Sequence, residues 1–336
     1  MDSLSQLALG ATVGLAVMGR RTAAWKAALW GGIAGTLPDL DVLIDYGDPI
    51  RNMVLHRAET HALFWLTLFS LPVGAAVARL HGEWSQWRRW WLAMWLVLVT
   101  HPLLDAMTVY GTQLALPFSS HPFGVGSISI IDPLYTLPLL LGAGWALASR
   151  GSAAGHRANV LGLVLSSAYL GWGVLAQQHV ERLARASLQA QGIQAERLLI
   201  TPTFFNSLLW RVVALDGAHY HEGFRSLLDA GPHIAFDRFD RGMALAGEVQ
   251  GIDGVQRIAA FSKGFYKLQD EADRVLISDL RMGQEPTYFF SFAVAQRHSP
   301  PVPLDPSEQM GRRPDVQRAL PWLWQRMWGR PLPPPR

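Results

Sequence analysis

The sequence predicts a membrane protein of mainly α class: a polytopic helical bundle followed by a small α+β extracytoplasmic domain with an antiparallel sheet. Three observations predict it. Half of the 336 residues are hydrophobic and only 16% are charged, which is too apolar for an ordinary soluble enzyme. The long apolar runs precede about residue 177, and most charges follow it. Basic residues gather in alternate connections of the first half, as a membrane topology requires. The chain therefore divides into a transmembrane region over 1–176, a soluble α+β region over 177–299 and a Pro- and Trp-rich tail over 300–336.

Leu7–Gly19 and Ala27–Leu37 are short apolar runs joined by "RRTAAWK", either a shallow hairpin or two short helices packed inside the bundle. Four longer runs, Ala62–Ala78, Trp90–Val109, Leu134–Ser149 and Asn159–Ala176, approach the roughly 20 residues that a span needs. Trp and Tyr near several ends suit interfacial anchors. The "MDSLSQLALG" start has no basic stretch before its first apolar run, so a cleaved signal peptide is not expected. Without cysteines there are no disulfides, thiolate metal sites or Cys nucleophiles.

Arg20, Arg21, Lys26, Arg79, Arg88, Arg89, Arg150 and Arg157 fall in turns that alternation places on one side, the cytoplasm by the positive-inside rule. Asp39, Asp41, Asp45, Asp48, Glu59 and Asp132 collect on the other, where Arg51 and Arg57 are the strong bases. Alternation then leaves everything after the fourth span outside the cytoplasm.

Beyond residue 177, "QQHVERLARASLQAQG" has the apolar spacing of an amphipathic helix ended by Gly192. "LLWRVVALDG", "RIAAFSKGFYKLQ", "DRVLISDLRMG" and "TYFFSFAVAQ" read as strands of a small antiparallel domain. The tail "RALPWLWQRMWGRPLPPPR" suits a disordered end, with a membrane-interface segment as the other reading.

Four polar clusters fall on the outer side. In "GTLPDLDVL", an extended backbone after Pro38 would point Asp39 and Asp41 the same way. In "HRAETHALFW", Thr60 is a candidate N-cap that puts His61 in the first turn of a span, with His56 in the loop before it. In "THPLLDAMTVYGTQ", His101 and Asp105 are four apart and share a helix face. In "SISIIDPLY", Asp132 precedes a span. Singly, capping carboxylates and surface histidines are ordinary. An HxxxD pair inside an apolar helix is not, because an ionisable group there is costly and needs a partner. Neutral imidazoles with carboxylates are the ligand set of a divalent metal ion, zinc first and manganese second.

Together with "MDSLSQLALGA", "IIDPLYTLPLLLG", "TPTFFNSLLWRVVALDG", "FSKGFYKL" and "DLRMGQEPTYFFSF", these motifs resemble the YdjM/YbcI-type bacterial inner membrane proteins, described as membrane-bound metal-dependent hydrolases. The resemblance implies a helical membrane core with a His/Asp metal site, and a remote similarity to zinc-dependent phospholipase C and P1-type nucleases. Many relatives have a His in the first segment where this chain has Gln6, a poor zinc ligand.

The functional expectation is a membrane-bound hydrolase of a lipid or other amphiphilic ester, with a phosphodiester preferred on the remote resemblance. His61, His101 and Asp105 are the leading metal ligands, and His56, Asp41 and Asp39 complete or bridge the site. Asp39 or Asp132 is the candidate proton acceptor. Arg57 can pair with a phosphate or with a neighbouring acid, and Tyr110 and Thr112 can supply hydroxyls or simply end the helix. A cation-binding or transport site and a scaffold with a structural metal are the alternatives. The bilayer is the expected partner, and a net charge of +3 without an organised basic patch gives no case for nucleic acid.

Overall fold

A computed structural model describes residues 1–312 and 315–336. The chain forms two compact units. The first comprises Met1–Leu43, His56–Val174 and Phe204–Asn206, and the second Ile44–Leu55, Leu175–Thr203 and Ser207–Arg336.

The helices, in chain order, begin with α1 (Ser3–Met18), α2 (Ala24–Thr36), α3 (Pro49–Leu55) and α4 (Leu63–Leu80). They continue with α5 (Trp87–Ala106), α6 (Pro133–Ala148) and α7 (Ala153–Ala190). In the first unit α1 is central, packing against α2, α5 and α6. Its core includes Leu9, Met18, Trp90, Met94, Leu98 and Leu139. α1 and α2 approach through glycines. A Cβ on Gly10 would lie 2.2 Å from the Gly31 carbonyl oxygen, and one on Gly35 would lie 2.7 Å from that of Gln6. Gly10/Gly14 and Gly31/Gly35 thus form small-residue seams four apart, the spacing that lets membrane helices touch backbone to backbone.

The three basic turns meet at one end of this unit. Glu83 accepts hydrogen bonds from Thr22 and Lys26, and Gly151 packs against Ala24. The opposite end carries the end of α2, the His61 turn, the end of α5 and the start of α1.

Among the described residues, two helices are long and apolar enough to cross a membrane, Leu63–Leu80 and Ala153–Ala190. Four spans were expected, but α6 has 16 residues and α5 loses apolarity to its arginines and to its His101 and Asp105. The fourth expected span and the amphipathic segment after it are one 38-residue helix, α7.

The second unit contains two four-stranded antiparallel sheets. One, in the order β1-β2-β3-β4, uses Arg197–Pro202, Leu209–Asp216, His219–Ser226 and Phe236–Asp240. The chain then forms α8 (Ala246–Val249), α9 (Asp253–Phe261), β5 (Tyr266–Glu271) and β6 (Arg274–Asp279). β7 (Gly283–Gln284) and β8 (Thr287–Tyr288) pair with each other, and β9 (Ser291–Gln296) and β10 (Val302–Gln309) complete the second sheet, ordered β10-β9-β6-β5. α10 (Val316–Met327) follows.

Two segments of this half differ from the sequence expectation. "RIAAF", taken as the start of a strand, closes α9, where Val255, Ile258 and Phe261 share a buried helical face. The expected tail is built into the unit: β10 pairs with β9, and α10 buries Trp322 and an Arg326–Asp229 ion pair. Residues 313 and 314 of that tail lie outside the described residues. The loop before His56 also belongs here, since Ile50 of α3 packs on Gly254 and Asp48 accepts the Ser307 N–H at 2.8 Å.

Gly31→Val should disrupt the α1–α2 contact, because backbone atoms cannot move aside as a flexible side chain can. A loss of roughly 1–3 kcal/mol is expected for such overpacking, read as a lowered thermal midpoint in detergent. Gly144→Ala, with nothing within 4 Å of the new methyl, should leave that midpoint unchanged or slightly raised.

Candidate metal centre

Pro38 follows the end of α2 and opens a 3-10 turn over Pro38–Leu43. The turn replaces the expected extended backbone and separates the two acids. Asp39 faces the imidazoles of His61 and His101, whereas Asp41 faces His56, Thr60 and the Arg57 N–H. His61 sits in a second 3-10 turn, Glu59–His61, just before α4, so Ala62 and not Thr60 is the N-cap. His101 and Asp105 lie one turn apart on the buried face of α5.

Asp39, His61, His101 and Asp105 each offer a ligand atom, all within 4.8 Å of one another. The two imidazole Nε2 atoms are 3.1 Å apart. Asp39 Oδ1 is 3.4 Å from each, and Asp105 Oδ2 is 3.4 Å from His61 Nε2 and 3.6 Å from His101 Nε2.

Their outer partners fix which nitrogens carry protons. His101 Nδ1 is 2.7 Å from the Gly35 carbonyl oxygen, which can only accept, so Nδ1 bears the hydrogen. Thr60 donates its one hydroxyl hydrogen to Asp41 Oδ2 at 2.7 Å and so accepts from His61 Nδ1 at 2.9 Å. Neutral imidazoles in these tautomers turn two bare Nε2 lone pairs and two carboxylate oxygens toward one point. Among the described residues, Asp105 Oδ2 is buried without a hydrogen-bond donor. Four such atoms turned on one point repel unless a shared proton or a cation lies between them, and two imidazoles with two carboxylates suit zinc or manganese. The point attracts positive charge of any kind. Burial opposes a charged His61, but the carboxylates of Asp105 and Asp39 outweigh it and hold the imidazole above its ordinary range.

The chain matches the YdjM inner membrane protein family over residues 1–180, more than half of its length and the whole of this centre. It belongs to the YdjM inner membrane protein family. It is also 26% identical over 226 residues to the uncharacterized protein YfhP of Bacillus subtilis, an alignment covering 67% of this chain and 66%, just under two thirds, of that relative. No solved structure matches the chain.

In this YdjM-family chain, Gln6 stands behind the centre as a donor. Its Nε2 reaches Asp105 Oδ1 at 3.0 Å and the His101 carbonyl at 3.2 Å. The Met1 amine also donates to Asp105 Oδ1. Oδ1 is thereby occupied and Oδ2 turned inward, the arrangement by which outer partners orient a metal ligand. Arg57 approaches the other carboxylate oxygen of Asp105. Its backbone is in the left-handed region (φ 67°), uncommon for a non-glycine residue. Its Nε is 3.3 Å from Asp105 Oδ2, out of line for a hydrogen bond but close enough to offset its charge, and its guanidinium lies 4.8 Å from the Tyr110 ring centre.

The remaining candidates fall outside the four-residue group. Asp41 and His56, expected as ligands, pair with each other at 2.7 Å in the layer behind His61. Asp132, expected as a proton acceptor, caps α6 through Leu134 N–H at 3.1 Å and accepts the Tyr169 hydroxyl at 2.9 Å. Burial pushes its carboxyl above the usual range. Thr108 donates to the Asp105 carbonyl at 2.7 Å, and Thr112 joins a backbone bridge to Phe123. Gly35, Thr60 and Gln6 carry supporting roles that residue type alone did not announce.

His61→Ala, His101→Ala and Asp105→Ala should each lose metal, whereas Asp132→Asn and Thr108→Ala should retain it, as read by metal analysis of folded protein. Binding should also weaken with acid. An ion needs neutral His61, whose raised pKa lets protons compete from above the ordinary imidazole value of about 6.5. Affinity should therefore fall as pH drops through that range, by up to roughly tenfold per pH unit for one displaced proton. A pH-independent affinity would remove His61 from the ligand set.

Proposed function

We propose that this protein is a membrane-bound metal-dependent hydrolase of lipids or other amphiphilic esters, with phosphodiesters first. The observation that carries the reading is the convergence of four potential ligand atoms, of which the accessible one belongs to Asp39. Its side chain is 20% exposed, against 0–1% for His61, His101 and Asp105. Buried ligands on one side and an approachable carboxylate on the other favour a centre that a substrate can reach over a closed structural site.

A divalent ion held there, zinc or manganese, polarises a scissile carbonyl or phosphoryl oxygen and acidifies a bound water. Asp39, whose Oδ1 faces the two imidazoles, would use its other oxygen on the open side to take the proton from the attacking water. Thr60 and Gly35 keep both imidazoles in the tautomers that leave Nε2 bare, and Gln6 holds Asp105 so that Oδ2 stays inward. Arg57 balances carboxylate charge and draws an anionic head toward the centre. Asp132 serves the start of α6 and takes no part in the chemistry.

For topology, we propose a polytopic arrangement in which the centre opens to the extracytoplasmic face and the residues after about 177 lie outside the cytoplasm. The basic turns at the opposite end of the first unit support this orientation. A reporter active only in the cytoplasm, fused after Arg297, should stay silent, and strong activity would reverse the orientation.

Zinc-loaded protein should release product from at least one member of a panel of phospholipids, lysophospholipids and carboxylic esters. Chelation should abolish turnover and added metal restore it. Asp39→Asn protein that still holds metal should lose roughly 100-fold or more in rate, the usual worth of a general base. Full metal occupancy without turnover across the panel would contradict the hydrolase reading and favour a cation-binding or structural role.

A further inference from the structure

A cavity of about 560 Å3 opens on the wall of the first unit beside the candidate centre. Leu66 and Leu98, both buried, form its floor, and the half-exposed Leu68 and Phe69 line its outer side. Its polar rim is Glu59 and Thr60, and Pro38 leads from it to Asp39. Three of these residues are tied to a candidate ligand. Pro38 precedes Asp39, Thr60 hydrogen-bonds His61, and Leu98 lies one helical turn before His101.

We infer that this groove holds the acyl chain of the amphiphilic substrate while its head group lies over the metal centre. The inference rests on the hydrolase reading of that centre and names the substrate class: a lipid with a chain that lies along α4 and a polar head at Asp39. The apolar floor takes methylenes and offers a head group nothing. The rim does the reverse, and it adjoins the one accessible ligand. A volume of 560 Å3 falls within the roughly 300–1,000 Å3 of small-molecule sites. The apolar wall is built from the outer turns of α4, one of the two membrane-length helices, so a chain passes into the groove from the bilayer without crossing water. A zwitterionic phosphoester head fits the rim: its ammonium suits Glu59 and its phosphate suits an ion held at the adjoining centre.

A second recess supplies the control. It measures about 550 Å3 and is lined by Leu140, Leu141, Gly144, Trp145, Ala148 and Ser149 near the other end of α6. It contains none of the candidate ligands or their neighbours.

The test uses full-length protein in detergent, loaded with paramagnetic manganese, and measures 31P relaxation of lysophosphatidylethanolamine. Leu68→Trp fills the groove without touching a ligand, and Leu141→Trp fills the control recess; both positions are exposed on the wall, so the larger side chain can be accommodated. Wild type and Leu141→Trp should strongly enhance the relaxation, while Leu68→Trp, with equal manganese content, should lose most of the enhancement. Glycerophosphoethanolamine, which has the head and no chain, should relax equally weakly with all three proteins. Equal lysolipid relaxation in manganese-loaded wild type and Leu68→Trp would overturn the groove while leaving the metal centre intact. Failure of wild type to bind manganese would instead remove the centre on which both proposals stand.

Discussion

Four electron-pair donors from three separate segments face one another at the candidate centre, and in an apolar interior that arrangement is stable only around positive charge. Much of the first unit is shaped to hold them there. The glycine contact brings the backbone of α1 against α2, which places Gln6 behind Asp105 and aims the Gly35 carbonyl at His101 Nδ1. Two short 3-10 turns bring Asp39 and His61 to the end of α5. The left-handed backbone of Arg57 sends its N–H to Asp41 and its side chain to Asp105. Each device costs packing freedom or backbone strain, and together they orient ligand atoms rather than merely fill volume.

The layer behind the four residues sets which of their atoms turn inward. An imidazole whose Nδ1 donates outward has only Nε2 left to bind, so Thr60 and Gly35 select both the tautomer and the direction of the lone pair. Asp41 stands one bond further out, accepting from Thr60 and pairing with His56, and so links the "PDLD" and "HRAETH" segments without joining the ligand set. Membership of the YdjM inner membrane protein family sets this centre in a membrane protein. An apolar groove beside a charged point is the shape that an amphiphile matches at both ends.

What was legible in the sequence was whatever depended on helical spacing. His101 and Asp105 share a face because they are four apart on α5, and their cost in an apolar helix marked them out. Assigning Asp39 and Asp41 to different layers required the 3-10 turn, which "PDLDVL" does not distinguish from an extended strand. Asp132 resembles a catalytic carboxylate and an N-cap equally until Tyr169, 37 residues away, is seen to reach it. The same limit applied to larger elements. α7 runs unbroken through Gly171 and Gly173 because no Pro stops it between the apolar and amphipathic stretches, whereas the Trp- and Pro-rich end is ordered by contacts with β9 and Asp229 that have no local signature. The glycine seams were present in the sequence as paired GxxxG spacings, but only the fold shows that they face each other.

Two imidazoles and two carboxylates converge on one point that can hold a divalent ion. X-ray absorption of the zinc-loaded protein tests it most directly, because imidazole rings leave an outer-shell scattering signature that oxygen ligands lack. A first shell of nitrogen and oxygen near 2.0–2.1 Å, roughly as in other zinc sites, is expected together with a two-imidazole outer shell, and the His61→Ala, His101→Ala double variant should retain no zinc with that signature. An all-oxygen shell without imidazole scattering, or a two-imidazole signal unchanged in that double variant, would contradict it.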